Sequence, residues 1–311
     1  MARTTSKPSV DITQVLSELR TYARTAVRLH PRPGKPSVHD SHIGGPLLWP
    51  SNEPWPACDR TVQVQAAPFG QPGWLTMLDR VPESPIPMVG VAQFYARDIP
   101  EIPFPEGTDL LQVLWCPNEH DLDDTGPAPA PLLVWRRATD LTDVLAEPPM
   151  RDHTTPDGGP DTPVADLSHG GYLPRPCVLH PERVIEYPDP EELPEHLQTF
   201  LDAWEDTSEH SYHSQLSIAP GCKIGGWESW HITDMYELPC DVCGTETEPL
   251  LKLASSEWDG SESRWRPLEE RHLDWGTPEC QETLEPTTLQ LGRYAALTIF
   301  LCPRSAEHGY V

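Results

Sequence analysis

Lysine is scarce in this chain of 311 residues: Lys7, Lys35, Lys223 and Lys252 are the only four, and 22 basic residues face 48 acidic ones for a net charge of −26. A surface that tracks phosphates needs clustered Lys and Arg, and no such cluster occurs, so the sequence argues against binding nucleic acid. Apolar runs long enough to span a bilayer, about 20 residues, are also missing. The opening Met-Ala-Arg-Thr-Thr-Ser-Lys has no signal-peptide core. The expectation is a cytoplasmic protein without membrane association, whose eight cysteines stay reduced. Catalytic signatures are missing as well. No Gly-x-Ser-x-Gly elbow, P-loop, dinucleotide fingerprint or His-Glu-x-x-His occurs, and an enzyme is not expected.

Hydrophobic residues make up only 37%, but 38 prolines and 11 tryptophans are present. Each tryptophan can bury a large area, so the composition describes a folded, loop-rich protein rather than a disordered one. The length allows one large domain or two smaller ones.

Apolar spacing over 10–24, with Asp11 as N-cap, predicts a helix, and a second helix is predicted over 190–204. Strands are predicted at Ala26-Val-Arg-Leu-His, Met88-Val-Gly-Val-Ala-Gln-Phe-Tyr-Ala, 110–116, Leu132-Leu-Val-Trp135 and Pro249-Leu-Leu-Lys-Leu-Ala-Ser-Ser. The last, Tyr294-Ala-Ala-Leu-Thr-Ile-Phe-Leu-Cys302, is apolar enough to be expected at the centre of a sheet. The fold class is therefore α+β, mainly β.

An internal echo divides the chain. His42-Ile-Gly-Gly answers Lys223-Ile-Gly-Gly, and Pro56-Ala-Cys58 answers Pro239-Cys240. The strand around Gln93 answers the one around Lys252, and two apolar strands each end in Cys-Pro, at Cys116 and Cys302. The expected organisation is an N-terminal helix and tail (1–28), a first sheet-containing half (29–146), a Pro/Gly/Asp-rich linker (147–180) and a second half (181–311), the two pseudo-repeated halves packing together.

The strongest chemical signal is Pro239-Cys240-Asp-Val-Cys243-Gly244. Two thiolates at this spacing can meet one ion when the turn folds back, and the glycine lets backbone N–H groups point at sulfur. If the last strand ends nearby, Cys302 and His308 complete a Cys₃His set suited to structural zinc, with Cys222 and Cys280 as rival fourth ligands. Free structural thiols and a redox Cys-x-x-Cys remain alternatives. Cys58, Cys116 and His120 form a fainter counterpart, either a decayed copy or another metal site. The clusters His39/Asp40/His42, Glu119/His120/Asp121 and Glu209/His210/His213 lie in polar stretches where solvated surface is the simpler account.

Ser41-His-Ile-Gly-Gly-Pro-Leu-Leu-Trp-Pro, Glu53-Pro-Trp-Pro, Val91-Ala-Gln-Phe, Lys223-Ile-Gly-Gly-Trp and the closing 297–302 strand resemble, in that order, the bacterial YwqG-like family, a domain family of unknown function. The resemblance implies a soluble α+β domain, mainly β, and brings no catalytic residues. Some relatives lie near polymorphic toxin genes, which implies an immunity-type role. The expected function is thus a non-enzymatic binding protein with a protein partner, immunity-type or regulatory, carrying structural zinc. The alternative is a small-ligand binder or metal-dependent enzyme, using Trp49, Trp55, Trp227 and Trp230 in a cleft between the halves.

Overall fold

A computed structural model describes residues 2–66, 72, 76–121, 127–149, 170–230, 235–260 and 263–310. Most of the expected linker lies outside the described residues. Within them the chain is mainly β, and no helix is long and apolar enough to cross a membrane.

One sheet is built from β1 (Arg24–Arg28), β12 (Glu182–Glu186), β13 (Lys223–Gly225), β14 (Glu248–Ala254) and β15 (Ala296–Leu301), in the order β12-β1-β13-β14-β15. The other contains β2 (Arg32–Pro33), β3 (His42–Ile43), β5 (Val62–Gln65), β6 (Met77–Arg80), β8 (Val89–Tyr95), β9 (Leu110–Asp121), β10 (Pro127–Arg136) and β11 (Cys177–Val178). Its order is β2-β11-β3-β8-β9-β5-β6, with β10 also on β9. A small ribbon pairs β4 (Ala57–Cys58) with β7 (Ile86–Pro87).

Five strands of each sheet correspond register for register. His42 lies opposite Gln93 as Lys223 lies opposite Lys252. Gln93 then faces Gln112, and Lys252 faces Thr298. Both middle strands carry a one-residue bulge, at Val91 and at Leu250. On the other flank, Ile43 faces Cys177 while Ile224 faces Val27.

The first strand of each set lies in the opposite sheet. Residues 24–33 and 177–186 run antiparallel in one unbroken register, Arg24 opposite Glu186, Arg28 opposite Glu182, Arg32 opposite Val178 and Pro33 opposite Cys177. Each segment passes from one sheet to the other at a Leu-His-Pro, Leu29-His30-Pro31 and Leu179-His180-Pro181, and His180 N–H donates to Leu29 O at 2.9 Å. His30 turns the first crossing with φ 43. The halves are therefore not two separate blocks laid side by side. β1 joins the sheet of residues 182–301, and β11, inside the expected linker, joins the first sheet.

The largest buried cluster among the described residues draws on both sheets, with Val27, Ile43, Val91, Val113, Ile224, Leu251 and Ile299 among its members. Burying an aliphatic side chain of this size stabilises the fold by about 1.5–3 kcal/mol. β9 is buried along nearly its whole length because β8 and β10 flank it. β15, expected to be central, is instead the last strand of its sheet. Its outer side is covered by the chain terminus, where Leu301 bridges Tyr310, and by Trp230 stacked on Phe300 at 6.1 Å.

The N-terminal helix is shorter than its apolar spacing predicts. Asp11 caps it by accepting from Thr13 N–H, but α1 covers only Ile12–Val15 before Leu16 turns extended (φ −132, ψ 91) and a 3-10 segment follows. Ile12, Leu16 and Leu19 nevertheless pack in one buried cluster with Leu197 and Leu201 of α2 (Glu195–Glu205). α3 (Pro278–Leu284) and the β5–β6 hairpin had no predicted counterpart.

Candidate metal centre

The Cys240–Cys243 loop is built by backbone geometry. Cys240 N–H donates to Thr245 O and Gly244 N–H to Cys240 O, both at 2.8 Å, while Pro239 bridges Glu246 at the loop base. Gly244 has φ 67, a conformation in which a side chain is strained, so the glycine is required for the loop to close. On the opposite side, β15 ends at Leu301 and places Cys302 just beyond the sheet. Ser305 then caps a 3-10 turn over Ala306–His308, which swings His308 back toward the strand end.

Cys243 Sγ lies 3.6 Å from Cys302 Sγ, and His308 Nδ1 lies 3.4 Å from Cys302 Sγ and 3.8 Å from Cys240 Sγ. All four ligand atoms fall within 4.8 Å of one another. Bond lengths of about 2.3 Å put tetrahedral thiolates about 3.8 Å apart, so this spacing suits one ion. Cys240 and Cys302 are buried; Cys243 and His308 are half-buried. Hydrogen bonds from the Thr245 hydroxyl and amide hold the Cys243 thiol down to about 6, favouring the thiolate a metal needs. Burial pushes Cys240 upward. At Cys302 burial also acts upward, but the amides of Arg304 and Ser305 outweigh it. The four residues predicted as ligands converge, and they can hold a metal ion. The rivals do not join them: Cys222 is buried against Ala254 O (3.8 Å) and Cys280 against the Arg266 guanidinium (3.7 Å).

A second cluster brings Cys58, Cys116 and His120 within 4.8 Å. Cys116 and His120 would be far apart on a regular strand. β9 is irregular here: Trp115 and Glu119 span four residues while their partners Pro131 and Pro129 span two. The extra residues interrupt the ladder between Trp115 and Glu119 and bring thiol and imidazole together. Cys58 enters on β4. His120 Nδ1 donates to Thr61 O at 2.8 Å, which leaves the Nε2 lone pair turned toward Cys58 Sγ, 3.9 Å away.

The other candidates have structural roles. Asp40 accepts from Ser37 N–H and hydroxyl (2.8 and 2.7 Å), His213 pairs with Asp189 at 3.3 Å, and Glu119 accepts from Tyr172 O–H at 3.1 Å. Trp49 and Trp55 pack on each other at 5.2 Å, and Arg24 covers Trp227 at 3.7 Å. His42 is wholly buried: Gly45 N–H donates to its Nδ1 at 3.1 Å and its Nε2–H donates to Pro46 O at 3.0 Å. Burial pulls His42 down to about 4.

Sequence reasoning missed the buried ionic groups. Lys223 Nζ donates to both oxygens of Glu186 at 2.8 Å and to Trp227 O at 2.7 Å, with both side chains fully buried. Glu186 also accepts from Ala219 and Trp227 N–H at 2.9 and 2.8 Å. Lys223 directly before Ile-Gly-Gly was the only signal, and its partner lies on a strand 37 residues earlier. Compared with protein-family models and with curated proteins, the chain matches none.

Proposed function

We propose that Cys240, Cys243, Cys302 and His308 hold a structural zinc ion in a non-enzymatic binding protein whose acidic surface takes a basic protein partner, in an immunity-type or regulatory role. The observation that carries the metal assignment is the convergence of three sulfurs and one imidazole nitrogen within 4.8 Å. Four protein ligands fill the tetrahedral shell of zinc and leave no position for substrate. The ion would tie the 238–247 loop to the last strand and to the 306–308 turn, a role in scaffolding rather than chemistry.

The charge distribution supports the partner. Arg28, Arg32, Lys223, Lys252 and Arg266 are buried, against Glu186, Glu257 and Glu270 among the carboxylates. Among the described residues the interior thus removes more positive than negative charge, which leaves the exposed charge predominantly acidic. Such a field speeds encounter with a cationic protein and weakens with salt. Membership of the YwqG-like family belongs to the same proposal and rests on the order of the Ile-Gly-Gly, Gln93 and terminal-strand motifs.

Two measurements test it. Native mass spectrometry and metal analysis of the reduced protein should show that Cys240→Ser with Cys243→Ser lowers the zinc content by one ion per chain; an unchanged content ends the metal assignment. Purification of the tagged chain from its native lysate should recover a stoichiometric basic protein released by salt. Recovery of none overturns the binding role.

A further inference from the structure

We propose that Cys58, Cys116 and His120 form a second metal site, which takes a thiophilic divalent ion such as zinc through three protein atoms and leaves its fourth position to water. Three observations carry it. The ligand atoms lie within 4.8 Å, from β4, from the fold in β9 and from the strand beyond it. The imidazole is already oriented, since Thr61 O takes the Nδ1 proton and Nε2 faces the sulfur at 3.9 Å. Such a backbone acceptor behind the ring is the usual arrangement of a metal-binding histidine. Finally, Asn118, between the two ligands on the chain, is only 6% exposed, and its side-chain amide has no acceptor other than the Cys116 sulfur among the described residues. A buried donor without a strong acceptor is unfavourable. A metal-bound thiolate or a metal-bound water would accept from it.

Charge agrees with position. Two thiolates, a neutral imidazole and a divalent ion sum to zero, so the assembly can sit where Cys58, Cys116 and His120 are at most 3% exposed. Three thiolates and an imidazole around the same ion carry one negative charge, and that set is the one with two half-buried members. Cys116 also occupies in its sheet the register that Cys302, one residue past β15, occupies in the other. Three protein ligands with a water are the coordination of catalytic rather than structural zinc.

The test uses the full chain, stripped with chelator under reducing conditions and reloaded with zinc, its stoichiometry read by native mass spectrometry. The wild type should hold two ions, Cys240→Ser/Cys243→Ser one, and His120→Gln one. A wild type that saturates at one ion, lost in Cys240→Ser/Cys243→Ser and kept in His120→Gln, overturns the second site. The reverse pattern supports it while sinking the structural zinc. Should a variant fail to fold, the cobalt-loaded wild type decides. Its thiolate-to-metal charge-transfer absorption per chain should match five thiolates, and an intensity matching three overturns the proposal.

Discussion

The two Gly-Gly turns occupy equivalent places in the two sheets and are held by different chemistry. At His42-Ile43-Gly44-Gly45 a neutral imidazole takes one N–H and gives one to a carbonyl. At Lys223-Ile224-Gly225-Gly226 a buried ammonium meets a buried carboxylate, and the carboxylate in turn holds the N–H of Trp227. The turn is the shared requirement; the residue that satisfies it is free to change if every buried polar atom keeps a partner. The neighbouring position follows the same rule. Gln93 accepts from Leu48 N–H at 2.8 Å, donates to Val38 O at 2.8 Å and accepts from Gln112 at 3.0 Å, whereas Lys252 pairs with Glu228 at 2.9 Å. At these two positions the first sheet uses neutral hydrogen bonds and the second uses ion pairs.

The largest expected effect separates those chemistries. Lys223→Met leaves the Glu186 charge buried without its cation and should cost about 3–5 kcal/mol in urea unfolding. His42→Leu removes only neutral hydrogen bonds and should cost about 1–3 kcal/mol. Equal losses would erase the distinction.

Next come the first glycines of the turns. Both have positive φ, 70 at Gly44 and 65 at Gly225. A Cβ on Gly44 would meet Arg175 O at 2.5 Å, while one on Gly225 has nothing nearer than Thr25 O at 3.6 Å. Gly225→Ala should therefore cost about 1–2 kcal/mol of left-handed strain. Gly44→Ala should cost about 3 kcal/mol, the upper end of local strain, because backbone must also move. Thermal unfolding of the two variants side by side checks the ranking.

A further difference lies in the response to acid. His42 is held at about 4 by burial, and His30, buried beside Glu182 and two arginines, is also at about 4. The unfolded chain binds these protons near pH 6.5, so between pH 6.5 and 4 it gains protons that the folded chain refuses. Stability is therefore present above pH 6.5 and lost as pH falls toward 4. By pH 4 each histidine contributes about 3 kcal/mol to that loss. His42→Gln should therefore flatten the urea-midpoint profile between pH 7 and 4. Profiles of equal slope in the wild type and His42→Gln would remove His42 from the acid response.

Much of this was legible in the residues. The apolar runs at 89–95, 110–116 and 248–254 are strands because both of their faces are covered, and the Ile-Gly-Gly pairs mark turns that require positive φ. The Cys240/Cys243 spacing places two thiolates on one loop whatever the rest of the chain does. Less was legible where a partner lies far away. β1 has apolar Ala26 and Val27 but nothing to say that it pairs with residues 182–186 and 223–225. The Leu-His-Pro repeated at 29–31 and 179–181 was the available sign of the exchange.

The sequence alone determined that the long apolar runs become strands, where the chain must turn on glycine, and which loop carries paired thiols, because these follow from local side-chain volume, backbone sterics and short spacing. The tertiary structure decided which strands pair, that β1 joins the sheet of residues 182–301 while β11 joins the other, and that β15 lies at an edge. It also decided that an irregularity in β9 closes Cys116 and His120 onto Cys58. Pairing between residues more than a hundred apart depends on the burial and hydrogen bonding of the whole assembly, which no short window of sequence contains.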